Sequence, residues 1–177
     1  MNRTENPLEE VVDEKGRLSM RVLMTPDMVN FSGKVHGGVL LKYLDQVAYI
    51  CGTRYAGTYV VTLSVDRVEF IAPIQVGELV TFQASVNYTG RTSMEVGIRV
   101  LSESLHEQSV RHTNSSYFTM VAIGDNNKPT PVPEFKPSDT VERRRFPEAH
   151  QRRNDRIRRA RIRRDRRERN PLDLLPA

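Results

Sequence analysis

The chain has 177 residues, 38% of them hydrophobic, with ten glycines and a formal net charge of +5. That is enough for one domain with a real core and short for two. No apolar run approaches the roughly 18 residues a membrane span needs, and a single cysteine, Cys51, excludes an intramolecular disulfide.

The charge is unevenly placed. From Glu142 to the end 14 arginines stand against six acids, about +8, while the first 141 residues hold 13 basic and 16 acidic residues, about −3. The basic character therefore belongs to the tail, and charge gives no reason to read the globular part as a nucleic-acid binder. Residues 1–15 read as a polar N-terminal extension lacking the apolar stretch of a secretory signal. Together with the lone cysteine, this points to a reducing compartment, and the expected location is cytoplasmic.

Arg17 to Met24 alternates loosely and reads as a first strand, broken by Thr25-Pro26-Asp27. Asn30 to Lys34 is a loop with Ser32-Gly33 as its turn signal. From His36 to Cys51 the apolar residues cover most of a helical wheel, the pattern of a buried helix. It runs to about Tyr55 and stops before Gly57. Strand-like segments follow at Tyr59–Ile74, Leu79–Tyr88, from near Thr92 and at Val110–Ile123. Met94, Val96, Ile98 and Val100 recur at period two, as in a half-buried strand. Residues 16–123 thus make one domain. Residues 124–138, with Pro129, Pro131, Pro133 and Pro137, read as a stiff linker. Residues 139–177 are an arginine-rich tail, either an exposed helix or disorder, with too little apolar surface for a core. Strands joined by short turns imply antiparallel pairing, and a helix apolar nearly all round needs a sheet about it. The expected fold class is α+β: a five-stranded antiparallel sheet wrapped around a central helix.

Asp45 is the sharpest oddity, a carboxylate inside the apolar helix, costly unless paired or used. Its bland reading is a wet edge or a backbone donor. Gly37-Gly38 opens the helix, where free N–H groups and the dipole favour developing negative charge; tight packing of the entry is the bland alternative. Asn30 can donate to a carbonyl oxygen or orient a water, or simply serve its turn. His36 reads as a cap or packing residue. Gly90-Arg91-Thr92-Ser93 is a basic, hydroxyl-rich turn able to hold a phosphate, or only a hairpin. The four histidines show no ligand spacing and there is no CxxC, so no metal is expected.

Three ordered blocks resemble the signature of the hotdog-fold acyl-CoA thioesterases. The first is Asn30 followed by Gly33-x-Val35-His36-Gly37-Gly38-x-Leu40-Leu41-Lys42-x-Leu44-Asp45. The second runs from Val61-Thr62 through Asp66, Phe70 and Pro73-Ile74 to Val76-Gly77, and the third from Val86-Asn87-Tyr88 to Gly90-Arg91-Thr92-Ser93-Met94-Glu95-Val96. The resemblance covers about residues 15 to 137, with Gln46 where members often carry Glu. It implies a hotdog fold, dimers with a continuous sheet and a hexamer built as a trimer of dimers. It implies acyl-CoA as substrate, with CoA part of the substrate and no separate cofactor. Asp45 would be general base or nucleophile, Asn30 would position the carbonyl or water, and the Gly37-Gly38 backbone would polarise the carbonyl. Arg91, Thr92 and Ser93 would lie near the CoA phosphates. Asp45 is eight residues from Gly37, roughly 12 Å along one helix, so a shared site calls for Asp45 of one chain facing Asn30 and Gly37-Gly38 of another.

Three other readings compete. Hotdog dehydratases use a histidine in a differently built His/Pro/Gly loop, and here HGG runs into helix without that proline. A CoA- or nucleotide-binding module without turnover is the non-catalytic alternative. RNA association through the tail is the third, although arginines without interleaved aromatics more often make a solvated helix or an assembly element.

Overall fold

The structure, a computed structural model, describes residues 16–169, with the side chains of Arg67, Arg167 and Arg169 outside the description. The expected N-terminal extension and the last eight residues of the tail also fall outside it. The described chain forms two compact units that divide between Phe135 and Lys136.

The first unit contains β1 (Arg17–Leu23), a short 3-10 turn at Pro26–Met28, α1 (Gly37–Ala56), β2 (Val60–Phe70), β3 (Leu79–Thr89), β4 (Ser93–Ser104) and β5 (Ser109–Ala122). All pairings are antiparallel in the spatial order β1-β3-β4-β5-β2. On β4 the period-two residues Met94, Val96, Ile98 and Val100 are buried as expected, but so are the intervening Glu95 and Gly97, so only Arg99 of the alternate positions lies open. Val80, Phe82, Ala84 and Val86 on β3 and Phe118, Met120 and Ala122 on β5 are buried too. α1 packs against all five strands. It ends where the sequence predicts, with Gly57 at φ 71 donating its N–H to the Thr53 carbonyl. That left-handed conformation is one glycine adopts without strain.

Two features differ from the sequence reading. First, consecutive strands β2 and β3 do not pair. β2 lies beside β5 at one edge, and residues 71–78 cross to β3 near the other. Second, α1 is buried along one stripe only: Leu40, Leu44, Val47, Ala48, Cys51 and Tyr55 at helical spacing. Its other side leaves Leu41, Asp45 and Tyr49 exposed. A single five-stranded sheet curves around part of the helix circumference, so the apolar remainder of the wheel faces outward in one chain.

The crossover is locked by charge. Burial alone would raise the Glu78 pKa, but hydrogen bonds from Ser102 Oγ, Arg111 and the Gln75 N–H, with the Arg111 charge, hold it below the usual carboxylate range. Arg111 also donates to the Pro73 carbonyl at 2.9 Å. The same crossover accepts the Val35 N–H at Ile74 and the Lys34 ammonium at Gln75 Oε1, 2.8 Å away. A part-buried ion pair, with the carboxylate inside and the guanidinium at the surface, thereby steadies the crossover that holds the loop leading into α1. The proline-rich segment returns to the body: the Val132 N–H donates to the Arg91 carbonyl and the Phe135 N–H to Thr89 Oγ1.

The second unit is dominated by α2 (Thr140–Arg169). Asp139 caps it by accepting the Glu142 N–H at 2.8 Å, while Glu142 accepts from the Ser138 N–H and hydroxyl. The Asp139 bond satisfies an orphan donor of the first turn, and Glu142 ties the residue before the cap to the helix.

Candidate active site

The loop before α1 is organised by Asn30. Its Oδ1 accepts from the Ser32 N–H at 2.9 Å, the Ser32 hydroxyl at 2.7 Å and the Lys34 N–H at 3.2 Å. Its backbone closes the turn with Lys34 and with Gly33, which sits at φ 73. The turn reading is therefore realised through the side-chain oxygen alone. The amide nitrogen makes no hydrogen bond among the described residues, so Asn30 presents a donor that its own loop holds in place. Phe31, at the loop tip, is fully exposed.

His36 is the N-cap of α1, and its Nδ1 accepts the Gly38 N–H at 2.8 Å. That bond fixes the ring as an acceptor at Nδ1. The Val39 and Leu40 N–H groups both turn back to the His36 carbonyl. Of the first-turn donors only the Gly37 N–H has no partner among the described residues. The glycine pair thus has two uses. A Cβ on Gly38 would lie 3.0 Å from the His36 ring, so glycine lets the cap close. A Cβ on Gly37 would meet the Phe70 ring at 3.4 Å, a tolerable contact beside the open N–H.

Asp45 lies two turns further along, on the exposed side of α1. Its Oδ1 accepts the Thr62 hydroxyl of β2 at 2.6 Å. β2 runs back along α1, with Phe70 beside Gly37, Thr62 beside Asp45 and Val60 beside Gly52. The carboxylate therefore stands over the edge strand of the sheet. Thr62 went unassigned in the sequence, although Val61-Thr62 opens the second motif block; nothing in one dimension pairs a strand hydroxyl with a helix carboxylate.

No hydrogen bond joins Asp45 to Asn30 or Gly37 within the chain. The turn Gly90–Ser93 is closed by a Gly90 N–H to Ser93 carbonyl bond at 2.7 Å, with the Arg91 side chain exposed. It lies at the end of the sheet near the α1 C-terminus, because Met94 packs at Gly52. The predicted site residues thus fall at three levels along one protomer's helix: Asn30 and Gly37 at its start, Asp45 in the middle, and Arg91, Thr92 and Ser93 toward its far end. No cluster of His, Cys, Asp and Glu able to hold a metal is found among the described residues.

The edge beside Asp45 is apolar and uncovered. Leu63 on β2 is 65% exposed, with Val65, Phe70 and Ile71 also open. A monomer leaves such a strand edge as a template for pairing.

Comparison with known proteins places this architecture. The thioesterase superfamily matches residues 32–108. The protein VdlD of Helicobacter pylori is 52% identical over 145 residues, covering 82% of this chain and 83% of that one. A hexameric acyl-CoA thioesterase superposes with a TM-score of 0.80 at 37% identity, over 83% of this chain and 94% of that one. An acyl-CoA hydrolase of Staphylococcus aureus, solved with butyryl-CoA, CoA and CoA disulfide, superposes with a TM-score of 0.78 at 31% identity, over 90% of this chain and 95% of that one. Its structures include variants with alanine in place of an aspartate, an asparagine and a threonine. The sheet around a long central helix is the hotdog fold, and the chain belongs to the acyl-CoA thioester hydrolase family of the thioesterase superfamily.

Proposed function

We propose that this family member hydrolyses acyl-CoA to a carboxylate and free CoA at a site shared by two protomers. The observation that carries the reading is the Asp45 carboxylate, oriented by Thr62 on the exposed side of α1, above an apolar strand edge that a second copy would cover. The three residues replaced by alanine in the S. aureus hydrolase are spaced along its chain as Asn30, Asp45 and Thr62 are here. That supports assigning the three to one site.

Two donors fit a thioester carbonyl. The Gly37 N–H carries the helix dipole behind it, and the Asn30 amide is held with its nitrogen outward. Such preorganised donors are typically worth about 3–4 kcal/mol each at a developing oxyanion. The Gly37 N–H sits roughly 12 Å along α1 from Asp45, with Asn30 in the loop before the helix, whereas reacting groups must come within about 3–3.5 Å. Asp45 of one protomer therefore serves the carbonyl held by Asn30 and Gly37 of the other. As a general base Asp45 takes a proton from water, and the oxygen adds to the carbonyl carbon. The tetrahedral intermediate then expels CoA thiolate, which takes up the proton. As a nucleophile, Asp45 instead displaces the thiolate to form a mixed anhydride that water cleaves. Thr62 fixes the carboxylate in either course. Neither needs a metal or cofactor, since thiolate leaves well.

Arg91, Thr92 and Ser93 are proposed to meet the CoA phosphates, with the guanidinium as the charged partner. Pairing of β2 edges would give the dimer a continuous sheet, and a trimer of dimers would match the hexameric relative. A cytoplasmic location belongs to the same proposal; no described helix is long and apolar enough to cross a membrane.

Subunit mixing tests the arrangement. Asp45→Ala and Asn30→Ala chains are mixed under conditions that exchange subunits, and thiol release from acyl-CoA is followed. In a heterodimer one site collects both lesions and the other neither, so activity returns toward about one quarter of wild type for random pairing of independent sites. Verified heterodimers without recovery would overturn the cross-dimer site. A wild-type protein that binds CoA yet releases no thiol would overturn the hydrolase reading itself.

A further inference from the structure

α2 has a composition unlike the rest of the chain. All 14 arginines beyond residue 142 lie in it, and no lysine follows Lys136. It also lies beyond residue 108, where the superfamily match ends. A helix that only needed positive charge for solubility would be served equally by lysine. Arginine alone offers a planar fork that binds phosphate oxygens in pairs.

The arrangement of these arginines separates them into two kinds. Arg144 pairs with Glu148, Arg158 with Asp155 and Arg164 with Glu168. Arg159, Arg163 and Arg166 are exposed, and no acid pairs with them among the described residues. At 100° per residue these three fall within about 60° of one another around the helix. The acids of this stretch, Asp165 and Glu168, fall on the far side. The result is a short row of three exposed guanidinium groups over about two turns; the acids Glu148 and Asp155 bound it on the N-terminal side.

We infer that this row is a docking surface for the sugar-phosphate backbone of a nucleic-acid duplex. Two absences in the described helix select that partner. Ile157 and Ile162 are five residues apart, about 140° around the helix, so no apolar stripe exists to enter a lipid surface. The only aromatic is Phe146, so there is no platform on which the bases of a single strand could stack. What remains is a regular row of bidentate cations, suited to phosphates repeated along a double helix and indifferent to base sequence.

The test follows binding of the full chain to a mixed-sequence RNA duplex, with a DNA duplex and anionic phospholipid vesicles as further arms, across a range of salt. Binding should be insensitive to duplex sequence and fall with added salt. Replacing Arg159, Arg163 and Arg166 together by Gln should weaken it roughly tenfold or more and flatten the log–log salt dependence by about one unit per arginine removed. Thiol release should stay at the wild-type rate, which also shows the fold intact. A second variant, Arg144→Gln with Arg158→Gln and Arg161→Gln, removes the same charge elsewhere around the helix and should lose clearly less. Equal losses in the two variants, absence of salt-sensitive duplex binding, or tighter binding to vesicles than to either duplex would each overturn the inference.

Discussion

The two long helices of this chain are built on opposite principles. α1 has 20 residues, three of them charged, and its buried stripe packs against all five strands. Each fully buried Leu or Val contributes roughly 1.5–3 kcal/mol, so tertiary burial holds it. α2 has 30 residues, nearly half of them arginine. It is supported locally, by the Asp139–Glu142 cap and by exposed pairs worth only about 0.3–0.5 kcal/mol each. It also runs through Pro147, which forfeits a helical hydrogen bond and in a helix interior costs about 3 kcal/mol. In α1 a single carboxylate is conspicuous, and its environment assigns it a task. In α2 a charge is background, and only the spacing of the unpaired ones carries information.

Three substitutions sharpen that contrast. The largest effect is expected from Asp45→Ala. A general acid–base group typically contributes about 10²–10⁴-fold, so thiol release should fall by that range. Because Asp45 is exposed in the protomer, the circular dichroism and melting of the protein should barely change. Near-normal turnover by a well-folded variant would mean that the lone carboxylate of α1 is as idle as the paired charges of α2.

Thr62→Val keeps the shape of the side chain and deletes the hydroxyl that reaches Asp45. A misplacement of about 1 Å can cost as much as 10²-fold. We expect a loss of about ten- to a hundredfold in kcat, smaller than that of Asp45→Ala, with KM for acyl-CoA little altered. Equal kcat in variant and wild type would show that the carboxylate is oriented without its strand partner.

The smallest effect belongs to α2. Asp139→Ala removes the cap and should cost about 1 kcal/mol of helix stability, seen as earlier loss of part of the helical signal on heating. Thiol release should not change. A loss of activity would show that α2 supports the catalytic unit and would break the division between the two helices.

Much of this could be read from the residues in order. The α1 C-terminus, the turn at Gly90 and the apolar residues at period two along β4 are local matters. A period, a cap or a glycine in a left-handed turn acts over a few residues, so the sequence carries it directly. Asp45 and Asn30 also stood out locally, one as a charge in an apolar run and the other as an amide beside a turn. Sequence alone did not decide between the turn and donor readings of Asn30. The structure shows its oxygen in the turn and its nitrogen available, two halves of one side chain.

What only the tertiary structure decided are the meetings. β2 sits at the edge beside β5 because the chain returns from α1 to the far side of the sheet, a choice no pairwise turn signal contains. That return brings Thr62 to Asp45 across 17 residues. The His36 ring takes the Gly38 N–H, which leaves Gly37 as the open donor. The exposed apolar side of α1 follows from how far one sheet can curve around one helix. Periodicity states which face of an element is apolar. Which faces meet, and which remain open for a second copy or a ligand, is settled only when all the elements close on one core.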